Sequence, residues 1–291
     1  MAALVAVTSI AVITILMAVH SNQNEEKKFI NFFVEVLAPE KPTHFKLNRL
    51  PSDLSVCVYG NEMARTKKWV ESFFEIVRRE TWISPKIHFE KGTANCSSDT
   101  FLYVFFHRGQ KSALSTVVGD LSFILNRYGL NDFNSNYDNY GFGKIIYNKG
   151  KEPRAYAAIN EDINIAEYLN EDISRNVIQK LLFQILLAVP DKKINRKPKS
   201  IIEERDFPGS SIDTDSLSVD SMGERFKLNV PNMCLYDIML MKIVYAKDQS
   251  ILNGTLENYI KYIKFNYKNI LKSSSEVQNN PRYRDIFKNN C

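Results

Sequence analysis

The sequence predicts an α+β fold, a β-sheet with packed helices and a helical C-terminal part. Three observations carry this reading. Short apolar stretches bounded by Pro, Gly or Asn recur between positions 54 and 160 and read as strands. Stretches with apolar residues every three or four positions are interleaved with them and read as helices. After position 230 only helical patterns remain. With 291 residues and 44% apolar content, the chain can bury one large core or two modest ones and is too apolar for disorder.

Leu54 to Tyr59 alternates between Pro51 and Gly60, the pattern of a half-buried strand. Asn61 can cap the helix that follows, whose Trp69, Val70, Phe73, Phe74 and Val77 share one face. Strands near Lys86–Glu90 and Thr100–Phe106 flank the turn-rich Gly92–Asp99, and the second is apolar on both faces, which places it centrally in the sheet. Ser112–Tyr128 reads as a helix with Leu114, Val117, Val118, Leu121 and Leu125 on one side. The Asn-, Asp- and Tyr-rich tract after it, running to Gly143, reads as a loop. Strands near Lys144–Tyr147 and Arg154–Asn160 are joined through Asn148–Pro153 as a hairpin. A long helix over about Asp172–Val189 stops at Pro190, and the polar Asp191–Arg225 reads as a long surface loop. Helices over Cys234–Lys247 and about Thr255–Leu271, joined through Gly254, close the chain.

Ala2 to Val19 is almost uninterrupted in apolar and small residues and gives way to the polar Ser21–Lys28. A run of roughly 18 residues is at the lower limit for crossing hydrocarbon and longer than a usual signal-peptide core, so residues 1–20 are expected to be a signal peptide or an N-terminal membrane anchor. The protein is then exported: periplasmic, secreted, or held at the membrane by residues 2–19. Export places Cys57, Cys96, Cys234 and Cys291 in an oxidising compartment, where three pairings are open. Cys57 lies inside the apolar strand pattern and reads as a plain buried thiol. The net charge of +5, from 38 basic and 33 acidic residues, is a mild surplus, and without a zinc-finger spacing or an aromatic RNA-binding signature no nucleic-acid partner is expected.

Chemistry concentrates attention on Arg175–Asp191, which has the outline of a zinc-peptidase active-site helix. Such a helix needs two histidines four residues apart, so that both imidazoles share a face, and a glutamate beside the first as general base. Lys180, Leu181 and Gln184 occupy that frame here. An ammonium offers no lone pair, an alkyl chain exchanges no proton and a carboxamide is a poor zinc ligand, so no catalytic residue, metal or cofactor is expected. The four histidines are His20, His44, His88 and His107, none within four residues of another; His88 and His107, expected on neighbouring strands, are ordinary strand residues in this reading. Asp213, Asp215 and Asp220 have the wrong spacing for a calcium loop, Met222–Gly223 has no ligands to support, and Gly141-Phe-Gly143 signifies a turn.

The order of elements and the local text Ala155–Ile165, Arg175, Val177-Ile178, Gln184, Asp191, Ser200-Ile201, Asp237–Tyr245 and Gly254 resemble a bacterial exported domain family of unknown function, itself zincin-like and widespread in proteobacteria. The resemblance spans roughly Phe45–Thr255. It implies a mixed sheet over one long helix, a glutamate-rich helix ending in glutamine where peptidases carry their histidine pair, and then a loop and an aspartate-containing helix with a terminal tyrosine. This chain departs from the family at Lys180 and Leu181, where glutamates are common. The expected division is a leader over 1–20, a zincin-like domain over 45–255 and a basic helix and tail over 256–291.

Function follows as an expectation: an exported or membrane-anchored protein whose zincin-like domain is a non-catalytic binding or envelope module, its partner an unidentified protein or envelope component. One alternative is a hydrolase using carboxylates such as Glu167, Glu171 or Asp172 with Glu203 or Glu204. Another is a membrane-tethered scaffold, motivated by Lys261, Lys264, Lys268 and Lys272, which recur at helical spacing opposite Ile260, Ile263, Tyr267 and Ile270 and could meet a membrane surface.

Overall fold

The computed structural model describes residues 23–37, 47, 49–60, 64–107, 112–129, 141–146, 152–160, 171–189, 200–201, 233–246, 254–284 and 286–287. A mixed five-stranded sheet organises them. Its strands are β1 (Ser55–Gly60), β2 (Lys86–Glu90), β3 (Leu102–His107), β4 (Gly141–Ile146) and β5 (Arg154–Asn160), in the order β2-β1-β3-β5-β4. β1 runs parallel to both neighbours, β3 parallel to β5, and only β4, at one edge, is antiparallel to its partner. The central position expected for β3 is observed, and so is the antiparallel β4–β5 pair. β4 begins at Gly141 rather than Lys144, because Gly141-Phe-Gly143 pairs with Ala157–Ile159 instead of turning.

Period-two alternation divides the inner strands cleanly. Val56, Val58, Leu102, Val104, Phe106, Ala155, Ala157 and Ile159 face the larger core, and Cys57, Tyr59, Tyr103, Phe105, Tyr156 and Ala158 face a smaller one on the opposite side. A strand buried on both faces reads as a continuous apolar run, as β3 does. Gly60 ends β1 at φ 105°, and a Cβ there would fall 2.2 Å from the backbone oxygen of Phe106 on β3. Gly60→Ala therefore combines a strained backbone with a contact that cannot relax, and is expected to cost about 3 kcal/mol in chemical denaturation; wild-type stability in that variant would show that the turn can rebuild.

Among the described residues, the larger core is covered by α1 (23–37), α2 (Ala64–Glu80), α4 (Glu171–Leu187), α5 (Leu235–Val244) and α6 (Leu256–Gln278). α2 buries Trp69, Val70, Phe73, Phe74 and Val77, the face its spacing predicts. α1 has no counterpart in the sequence reading, although Phe29, Phe32, Phe33, Val36 and Leu37 recur at helical intervals and are all buried. α6 runs to Gln278, past the expected Leu271, with Thr255 capping its start by accepting from the Asn258 amide. Its Tyr259, Ile263, Tyr267, Ile270 and Val277 join the same core as α2, α4 and α5. The Lys242 ammonium on α5 lies 2.6 Å from a Glu80 carboxylate oxygen at the end of α2 and donates to Ser273 Oγ on α6 at 2.5 Å, tying three helices together at one mostly buried point. Among the described residues no helix is long and apolar enough to cross a membrane; residues 2–19 lie outside them.

Among the described residues, α3 (Ser112–Tyr128) covers the smaller core through Val117, Leu121 and Leu125. Its Asp120 accepts hydrogen bonds from Tyr59 on β1, from Tyr156 on β5 and from Thr93 in the short turn after β2, so one carboxylate fixes the helix to two strands and a loop. Burial pushes the Asp120 carboxyl up from its ordinary value, and the three donors pull the other way. Cys57 is not the free thiol its apolar setting suggests: it faces this smaller core, where Cys96 in the same turn as Thr93 reaches it, and the two form a disulfide with Cα atoms 5.8 Å apart. Cys234 is disulfide-bonded as well, to a partner outside the described residues.

Candidate functional site

The zinc-helix frame lies on α4, which packs along edge strand β4 and reaches α2. Gly143 permits this approach: a Cβ there would stand 3.3 Å from Leu181 Cδ2 and 3.5 Å from Ile185 Cδ1. Leu181, in the position of a general base, is therefore packing against the sheet edge. Lys180 is buried, only 7% exposed, beside the equally buried Arg175, Asn176 and Gln179, and Gln184 is half-buried. The arrangement can seat a helix under a sheet edge, but it presents none of the imidazole or carboxylate atoms that bind zinc.

α4 ends before Pro190. Ala188 takes a left-handed conformation at φ 53°, while its amide donates to Ile185 O and the Val189 amide to Gln184 O, the paired bonds of a Schellman turn. Glycine is the usual residue at such a position, so Ala188 holds a mildly strained backbone. The strain is held by contacts from α5. Tyr245, at the end of α5, donates its hydroxyl to Leu186 O in the last turn of α4 and accepts from the Leu50 amide at 3.1 Å.

The opposite end of α5 carries a second latch. Asp237 is fully buried and accepts from Ser200 Oγ, from the Ile201 amide at 3.1 Å and from the Cys234 amide at 2.7 Å. The Cys234 bond is half of a capping box, in which a carboxylate three residues into the helix reaches back to the cap amide. Burial pushes the Asp237 carboxyl up to about 7, against the three donors. Ser200-Ile201, Asp237 and Tyr245 are positions that carry the resemblance and have no work of their own in the sequence pattern; in the structure Asp237 and Tyr245 clamp Ser200 and Ile201, and α4 itself, to α5.

Other candidates are separated. His88 and His107 are not on neighbouring strands, because β1 lies between β2 and β3, and His88 pairs with Cys57 whereas His107 pairs with Asn160. Among the described residues no cluster of three His, Cys, Asp or Glu is placed to hold a metal. Glu167, Glu203, Glu204, Asp213, Asp215, Asp220 and Met222, and the side chains of Glu171 and Asp172, lie outside the described residues. Lys261, Lys264, Lys268 and Lys272 are all exposed on α6. No protein-family model and no curated protein matches this chain.

Proposed function

We propose that the chain is an exported, non-catalytic module of zincin-like layout that works by binding an envelope or protein partner. The observation that carries this reading is the content of the zinc-helix frame: a buried Lys180, a Leu181 packed on β4 and a half-buried Gln184. The mixed sheet with α4 packed along its β4 edge supports, at the level of a sheet with packed helices, the layout that the resemblance to the bacterial exported family implies. The latches from Asp237 and Tyr245 use two of the positions that carry that resemblance, and they give those positions a structural purpose that needs no catalysis. Disulfides at Cys57–Cys96 and at Cys234 suit an oxidising compartment, which supports export. The test is hydrolysis of an unbiased peptide library by the full-length protein together with its metal content; turnover with stoichiometric zinc overturns the reading.

A further inference from the structure

We infer that the outer face of α6 binds the surface of an anionic phospholipid bilayer, with Phe265 entering the headgroup region. At 100° per residue, Lys261, Lys264, Lys268 and Lys272 fall within an arc of about 80°, opposite the buried Tyr259, Ile263, Tyr267 and Ile270. Phe265 stands at the margin of that arc and is 89% exposed, far more than Phe123 on α3 at 44%, the other large apolar side chain left in solvent among the described residues. A solvated lysine face does not need an aromatic ring in water; a basic stripe with one projecting ring is what a charged bilayer recognises, through Coulomb attraction and insertion of the apolar group.

The face carries two acids as well. Glu257 is paired with Lys261 at 2.8 Å, and Glu276 lies near the C-terminal end. Lys264, Lys268 and Lys272 enter no ion pair among the described residues, so the centre of the stripe keeps its charge.

A second observation fixes the bilayer as occupant. α1 packs antiparallel to α6, with Phe29 against Tyr267 at 6.2 Å and Phe33 against Tyr259 at 5.9 Å, and Glu25 and Glu26 sit close enough to help raise the Tyr267 hydroxyl. Antiparallel packing thus carries the N-terminal end of α1 past Tyr267, toward the segment of α6 that bears Lys268 and Lys272. In sequence only three residues separate the apolar run ending at Val19 from residue 23, the first described residue of α1, a reach of at most about 14 Å. A membrane that takes up this run is brought to the part of the lysine stripe at Lys268 and Lys272.

The full-length protein carrying Phe265→Trp tests the inference in vesicles of phosphatidylcholine with brominated acyl chains, prepared with and without phosphatidylglycerol, using the wild-type protein as the fluorescence baseline. The expected result is quenching of the introduced indole by about twofold in the anionic vesicles only. Adding Lys264→Glu and Lys268→Glu, at two exposed positions that leave the melting temperature unchanged, lowers interfacial occupancy by about 30-fold and abolishes the quenching. Equal quenching in both vesicle types, or none in either, overturns the inference. So does retention of the protein on polyglutamate or DNA, lost with the same two substitutions and without lipid quenching, which would assign the stripe to a soluble polyanion.

Discussion

Asp237→Ala is expected to destabilise the protein by about 3 to 5 kcal/mol at pH 5, because it strands the Ile201 amide, the Cys234 amide and the Ser200 hydroxyl in a dry interior and leaves a cavity besides. Asp237→Asn should cost far less. Its carbonyl oxygen can accept both backbone amides, and its NH2 group can donate to Ser200, whose hydroxyl turns to accept. The two variants also separate in their pH dependence. The folded carboxyl titrates near 7 and an exposed one near 3.8, so from pH 4 upward the unfolded chain gives up a proton that the folded chain retains. Stability from this group is fully present below pH 4 and declines as pH rises to about 7, by about 4 kcal/mol in all. Asp120, also raised, adds a decline of the same sign. Urea denaturation across this range should therefore show a slope in the wild type that Asp237→Asn reduces. A wild type that gains stability over the same interval would show that Asp237 is held as a carboxylate.

Replacing both Cys57 and Cys96 with Ser is expected to cost about 4 kcal/mol, the chain-entropy value for a crosslink spanning 39 residues. The bond joins β1 to the turn holding Thr93, and Thr93 is one of the three donors to Asp120, so its loss also loosens the attachment of α3. Reducing agent acts on the Cys234 bond as well; the double Ser variant isolates this one. A change below about 1 kcal/mol, with free thiols at both positions in the unreduced wild type, would contradict the bond.

Much of the fold was legible because its signals are local. β2, β5 and α3 have the bounds their composition predicts, and β3 is central because a strand apolar on both faces has nowhere else to go. α1 is legible too, in Phe29, Phe32, Phe33, Val36 and Leu37, but its first described residues, Gln23–Lys28, are wholly polar and Pro39 and Pro42 follow it, which hides its periodicity. Gly141-Phe-Gly143 reads as a turn because two glycines are cheap in turns; what makes it a strand is the approach of Leu181 and Ile185 from a helix some 40 positions away, a contact no local pattern records. The same holds for the site. That Lys180, Leu181 and Gln184 are neither histidine nor glutamate is plain in the sequence alone, whereas the work of Asp237 and Tyr245 depends on partners at Ile201, Leu50 and Leu186 that only the folded chain assembles. Cys57 pairs with Cys96 because β1 and the turn after β2 meet on one face of the sheet, which strand composition does not encode.

In the proposed function, Lys180, Leu181 and Gln184 of α4 hold no divalent metal. Elemental analysis of the full-length protein, saturated with zinc and then separated from free metal by gel filtration, tests it directly. Zinc well below one equivalent per chain, and no change on Gln184→Ala, is the expected result. One tightly held equivalent that disappears with Gln184→Ala would contradict it.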